Sequence, residues 1–342
     1  MLNRKIIVSC LIAVLSLVLW MQSGCENSDR PDVAENVDGD SDGDGDGDGD
    51  GDGDSDGDSD GDSDGDSDGD GDDDCIDGLD LIYVVDANNK FYTFDPRDGA
   101  PGVFSPVGSG VLNCSSTGGP FSMSVGRDGF AYVLYSGTDY TQCQNVYKVS
   151  TSSGECIGPI SFTCGSNADF PGTFGMGYTT DGSDTVAEKL YVSSATQGST
   201  TGSMALGILD VSSGDLSTVG KNVPAGNPEF TGNKIGELWG FFPQSAPPFV
   251  GQIDKSNGGL VNANNKLVVN EISGKQARAW AFAYWGGSFY VFFAEGDDLF
   301  GDSNTVVYKV DMDGKVTTFN DKTDMIIVGA GVSTCAPISP VE

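Results

Sequence analysis

Histidine is absent from all 342 residues. That removes Ser-His-Asp and Cys-His nucleophile systems and histidine-based metal sites, and it leaves carboxylates as the groups able to do acid–base work. Asp139 with Tyr140 falls in one polar stretch, and Asp297, Asp298 and Asp302 fall in another. Arg278 and Trp280 stand at the head of an apolar run. The three late aspartates carry the oxygen chemistry that Ca²⁺ prefers, but their spacing matches no calcium loop. These seven residues therefore read as the polar rim of a ligand face. No catalytic residue, bound metal or cofactor is expected among them.

Cysteine offers the second kind of chemistry. Of eight cysteines, Cys10 and Cys25 lie near the start, and Cys75, Cys114, Cys143, Cys156, Cys164 and Cys335 follow. No CxxC pair is present, so a zinc site is a poor reading. Six cysteines in an exported chain imply three disulfides.

The elements that hold these residues repeat with a period near 50 residues, the mark of a blade-by-blade architecture. One element reads FYTFDPRDG (91–99), VYKVSTSSG (146–154), LGILDVSSG (206–214), VGQIDKSNG (250–258) and VVYKVDMDG (306–314). Each is an alternating strand closed by a turn, and Asp95, Asp210, Asp254 and Asp311 take equivalent turn positions where aspartate holds backbone N–H groups. Before each lies an apolar strand: LIYVV, FAYVL, KLYVS, ELWGF and SFYVF. Tyr83, Tyr132, Tyr191, Trp239 and Tyr290 share one place in it and are expected in the core between blades. A third element alternates large and small residues: FSMSV, FGMGY, WAFAY and VGAGV, with a weaker copy around Phe230. Small residues at every second place suit strands crowded around an axis. The fourth strand of each unit follows the Gly turn.

The chain begins these units at a second strand, Leu81, and ends after an innermost strand, Val332. The two incomplete ends complete each other. The expected fold is all-β: a five-bladed β-propeller of four-stranded blades, closed by a one-plus-three clasp over residues 75–342. Closure removes the open edges of a linear array.

Connection lengths orient the ring. Inner-to-second and third-to-outer turns are short. The long connections, second-to-third (135–145, 194–205, 294–305) and outer-to-inner (107–119, 163–172), emerge on one face, which is where Asp139, Tyr140, Arg278, Trp280, Asp297, Asp298 and Asp302 are placed. Trp285 belongs to the opposite face. The same logic pairs Cys143 with Cys164 across a hairpin and Cys75 with Cys335 across the clasp. Cys114 and Cys156 remain, and the face assignment puts them at opposite ends of a blade, so one of the three pairings conflicts with it.

Residues 38–74 carry aspartate at every even position to Asp72, then Asp73 and Asp74, with Gly or Ser between. Nothing there can bury apolar area to offset the entropy of folding, so a disordered acidic tether is expected. Fully extended it reaches at most ~120 Å. It implies only weak, diffuse Ca²⁺ association. Ahead of it, Arg4, Lys5 and the apolar run Ile6–Met21 form a signal peptide over 1–24. Ser23-Gly24-Cys25 resembles the lipobox of bacterial lipoproteins, which implies a lipidated Cys25 and an anchor segment over 25–37. Glu26 after that cysteine favours the outer membrane, by resemblance to the enteric sorting rule.

PFSMSVGRDG (120–129), WAFAYWGGSFYVF (280–292) and IVGAGVSTCAP (327–337) resemble a family of bacterial lipoproteins with acidic tethers and Tyr-Val…Asp…Gly repeats, over nearly all of 75–338. The family has no assigned activity, so the resemblance implies architecture and location only.

The propeller segment holds 27 acidic and 14 basic residues. With no basic stripe to replace counterions, nucleic acid is excluded as a partner. The expected function is a membrane-anchored, surface- or periplasm-displayed module that binds an extracytoplasmic ligand or protein without catalysis. Two alternatives stand beside it: a carbohydrate-active enzyme with carboxylates at the axial mouth, and a Ca²⁺-dependent adhesion or matrix protein. The inner strands offer mainly Ser, Gly, Ala and aromatics, with Glu229 and Arg278 the charges near their starts, which favours binding.

Overall fold

The structure is a computed structural model that describes residues 75–138, 142–195, 202–296 and 304–341. Cys25, the tether and the candidates Asp139, Tyr140, Asp297, Asp298 and Asp302 lie outside those residues.

Among the described residues twenty strands form five antiparallel sheets of four. In chain order they are β1 (Ile82–Asp86), β2 (Lys90–Asp95), β3 (Val103–Val111), β4 (Gly119–Val125), β5 (Phe130–Ser136), β6 (Cys143–Ser150), β7 (Cys156–Pro159), β8 (Phe174–Thr180), β9 (Glu188–Ser194) and β10 (Ser203–Leu209). There follow β11 (Leu216–Pro224), β12 (Glu229–Gly232), β13 (Leu238–Phe242), β14 (Phe249–Ile253), β15 (Leu267–Val268), β16 (Ala277–Trp285), β17 (Ser288–Glu295), β18 (Thr305–Asp311), β19 (Val316–Asn320) and β20 (Ile327–Val332). Four blades are consecutive: β4–β7, β8–β11, β12–β15 and β16–β19. The fifth runs β20-β1-β2-β3, the expected clasp. Its seam is a full ladder, from Ile82 opposite Val332 to Val85 opposite Gly329.

Burial falls from the axis outward. The second strands β1 and β13 are buried at every residue, and β5, β9 and β17 at all but their ends, because neighbouring blades cover both their faces. Outer strands such as β11 have one covered face and keep mostly polar or small residues. Five apolar clusters fill the five gaps between blades. The one beside the clasp joins Ile82, Val84 and Phe94 to Ala281, Tyr290, Phe292 and Phe319. Tyr83, Tyr132, Tyr191, Trp239 and Tyr290 are all buried in these gaps.

The small residues of the inner strands have a steric cause. A Cβ on Gly331 would stand 2.8 Å from the Ser124 Cα, and one on Gly177 would stand 2.6 Å from the Phe230 carbonyl carbon. Inner strands of adjacent blades therefore touch backbone to backbone. Hydroxyls tie them as well: Tyr178 N donates to Ser124 Oγ (2.9 Å) and Tyr284 N to Thr231 Oγ1 (3.0 Å).

Asp95, Asp210 and Asp254 accept backbone N–H groups two residues ahead, as the turn reading expects. Asp311 departs from it. Its carboxylate accepts from Ser288 Oγ (2.9 Å), and the turn N–H of Lys315 goes to Asp313 instead. The β12–β15 blade departs from the others just after its third-to-outer turn. Its turn at Asp254–Gly258 is tight, and an isolated bridge joins Ile253 to Leu260. The chain then wanders, so the outer strand β15 has only two residues.

The disulfides join Cys75 to Cys335, Cys143 to Cys164 and Cys114 to Cys156. The conflict over Cys114 and Cys156 came from treating a blade as flat. Successive strands of a sheet rotate by roughly 20–25°, so the outer edge of a blade lies steeply across its inner strand. The long-connection end of one outer edge thereby meets the short-connection end of the next. Tyr147 OH donating to Ser115 O (2.6 Å) fastens the same junction. Non-reducing peptide mapping is expected to return these three links; a 75–114 or 143–156 link would overturn the arrangement. Three structural disulfides belong to an oxidising, extracytoplasmic setting. Among the described residues no helix is long and apolar enough to cross a membrane.

Candidate binding site

The two faces of the ring are built differently. On the short-connection face, Trp285 donates its Nε1 to Asp80 O (2.5 Å). There the chain passes Cys75 and its disulfide, and there the C-terminal segment packs back, with Gly286 N donating to Pro337 O (2.8 Å) and Tyr284 OH to Ile338 O (3.0 Å). Glu188 lies half-buried on this side, accepting from Arg127 N (2.7 Å) and Thr334 Oγ1 (2.8 Å). Burial raises its pKa to about 6 despite those bonds.

The long-connection face is where inner strands begin. Glu229 opens β12 and is buried against the inner strands of the two preceding blades. Its Oε2 accepts from Ser122 Oγ (2.6 Å), on a strand two blades away, and from Met176 N (3.4 Å) on the strand between. Glu229 is fully enclosed, and desolvation outweighs those two bonds, so its pKa rises to about 8. It stands neutral at pH 7. Glu229 is the one carboxylate on the inner strands.

Just before it, Asn227 adopts φ +47°, a left-handed conformation that asparagine tolerates better than most residues. The turn aims its backbone carbonyl at Trp280, whose Nε1 donates to Asn227 O (3.1 Å). Asn227 Nδ2 donates to Gln244 Oε1 (2.8 Å), while Asn227 Oδ1 is buried without a partner. Gln244 belongs to the connection between β13 and β14. Beside it opens a groove of about 450 Å³ lined by Pro224, Gln244, Ser245, Ala246, Pro247, Phe249, Lys266 and Val268. Its floor is rigid: Phe242 and Phe249 stack at 4.6 Å, and Lys266 Nζ sits 4.4 Å above the Phe249 ring. Ser245 Oγ donates to Ala225 O (3.1 Å), which pins the connection to the end of the β8–β11 blade.

Of the residues singled out in the sequence, Trp280 is brought to this place and Arg278 begins the same strand. The groove residues themselves carry no repeat signature. The Pro243, Pro247 and Pro248 cluster in a connection between strands was the available signal. Among the described residues no group of three Cys, Asp or Glu side chains is arranged to hold a metal.

No protein-family model and no curated protein matches the chain. Several solved structures align with it distantly. A Bacteroides caccae protein of unknown function aligns at 14% identity over 73% of this chain and 84% of its own, with TM-score 0.39. A GH43 endo-arabinanase from Bacillus licheniformis aligns at 17% identity over 63% and 82%, with TM-score 0.38. A calcium-binding protein, regucalcin, from Agrobacterium tumefaciens aligns at 9% identity over 73% of each chain, with TM-score 0.31. With every TM-score below 0.5, these likenesses carry no argument about this chain, and the fold rests on its own five sheets.

Proposed function

We propose that this propeller is a non-catalytic binding module, lipid-anchored through Cys25, held off an outer membrane by the tether, and taking its ligand on the long-connection face. One observation carries the reading. The groove beside Gln244 and Trp280 lies on that face, while Cys75, where the tether would join, lies on the other. A ligand in the groove would therefore not meet the chain where it enters the propeller at Cys75. The enzyme alternative asks for two carboxyl groups flanking a bond. On the inner strands Glu229 stands alone, and Ser122 and Met176 already occupy its oxygen.

The binding reading is tested by screening soluble domain 75–342 against small extracellular metabolites and glycans by ligand-observed NMR, then solving the structure of a complex. Density beside Gln244, Lys266 or Trp280, with the compound unchanged, supports it. A footprint on the short-connection face, or turnover of the compound, refutes it. The anchor is tested separately: mass spectrometry of the mature protein is expected to show an N-terminal, acylated Cys25, and an unmodified N-terminus elsewhere would end that claim.

A further inference from the structure

Among the described residues the segment is rich in acid, yet the groove is lined by one lysine and no carboxylate. Lys266 forms no ion pair there. Its ammonium is held over Phe249, whose other face is braced by Phe242, so the charge has a fixed seat at the groove's edge.

Gln244 adds a second donor by default. A glutamine amide carries one acceptor oxygen and two N–H donors. Asn227 Nδ2 already donates to the Gln244 oxygen, which leaves the Gln244 Nε2 hydrogens without an acceptor among the described residues and Gln244 among the residues lining the groove. Ser245 spends its hydroxyl hydrogen on Ala225 O. A cation and an amide N–H, with no carboxylate in the lining and the Asn227 Oδ1 acceptor buried away from solvent, form a donor set that suits a carboxylate. Around it Pro224, Ala246, Pro247, Phe249 and Val268 form an apolar wall, and the volume of about 450 Å³ suits one small molecule.

Resting on the reading of this face as the binding face, we infer that the groove takes a small organic carboxylate, its carboxyl set between Lys266 Nζ and Gln244 Nε2 and its body against Pro224, Pro247 and Val268. The body is an aliphatic or aromatic acid or a sugar acid, and the two sources share the carboxylate chemistry.

The test uses phenylacetate, hexanoate and digalacturonate as probes, each beside its neutral partner: phenylacetamide, hexanamide and a neutral disaccharide. Binding is followed by NMR on isotopically labelled 75–342. At least one acid is expected to shift the Gln244 side-chain amide signals, with its neutral partner about tenfold weaker or silent. Lys266→Gln is expected to weaken that acid about tenfold while leaving the melting temperature unchanged. Gln244→Ala is expected to weaken it by a smaller factor. Which probe binds separates sugar acids from simple acids. If a neutral partner binds the groove as well as its acid, or Lys266→Gln leaves the affinity unchanged, the carboxylate inference falls and the binding reading stands. If no probe at millimolar concentration perturbs the groove but the wider screen finds a neutral ligand there, the outcome is the same. If nothing in either screen binds that face, both fall.

Discussion

A chain ending at Thr323 is expected to be insoluble or unfolded at 25 °C, although it lacks under a tenth of the propeller. The deletion removes β20, the innermost strand of the closing blade, and with it the ladder to β1. Ile327, Ala330 and Val332 leave the cluster they share with Phe94 and Phe292. Burying a large aliphatic side chain stabilises by roughly 1.5–3 kcal/mol, so these losses together rival the ~5–15 kcal/mol that holds a typical domain. The edge of β1 also opens, and β4 of the next blade loses the neighbour whose Gly331 had packed against Ser124. Exposed edges favour aggregation over partial function. The Cys75–Cys335 link goes as well. Solubility and thermal melting of the truncated domain check this. An unchanged melting temperature would mean the ring does not depend on its clasp. The matched control is deletion of 38–74, which is expected to leave melting almost untouched.

The second large effect is a pH dependence centred on Glu229. Its folded pKa of about 8 lies above the ordinary value of 4.5. The folded chain therefore holds a proton that the unfolded chain releases. The sign follows directly: the favourable state is fully present below pH 4.5, and stability drains away as pH rises toward 8, then levels. The slope is about 1.4 kcal/mol per pH unit. Over the whole window that amounts to about 5 kcal/mol from this one group. Glu229→Gln keeps an oxygen for Ser122 and Met176 and cannot ionise. It is expected to match the parent at pH 5 and to exceed it by several kcal/mol at pH 8.5. Denaturant unfolding at a series of pH values checks the prediction, and parallel pH profiles for parent and variant would overturn it. Glu229→Ala should be less stable at pH 5, because it leaves the Ser122 hydroxyl without its partner.

The ring was legible in the sequence because each blade states the same constraints. Tyr83, Tyr132, Tyr191, Trp239 and Tyr290 recur because every gap between blades needs the same filling, and Gly329 and Gly331 recur in kind because every inner strand is equally crowded. The clasp followed from counting strands at the two ends. What could not be read were contacts set by curvature. Cys114 and Cys156 meet because sheets twist, and no spacing along the chain expresses that. Ser122 and Glu229 meet across the axis from strands two blades apart. Glu229 was visible as a charge at a strand start, but its partner was not. The groove was hidden for another reason: Gln244, Pro247 and Lys266 stand where the repeat pattern lapses, beside the shortened β15. Uniqueness among blades is where a site arises, and a repeat search discards it.

The seat of the Cys75–Cys335 link has a mechanical consequence. Tension applied through the N-terminal side of the chain reaches Cys75 before it reaches β1, and the covalent bond shares it at once with Cys335, just past the end of β20. Ile82 and Val332 are partners at that same end of the seam. A pull would thus load both strands together at one point instead of peeling β1 from its neighbour one hydrogen bond at a time. The ring would hang from a closed link, and a captured load on the far face would strain the blades as a unit before it could unzip the clasp.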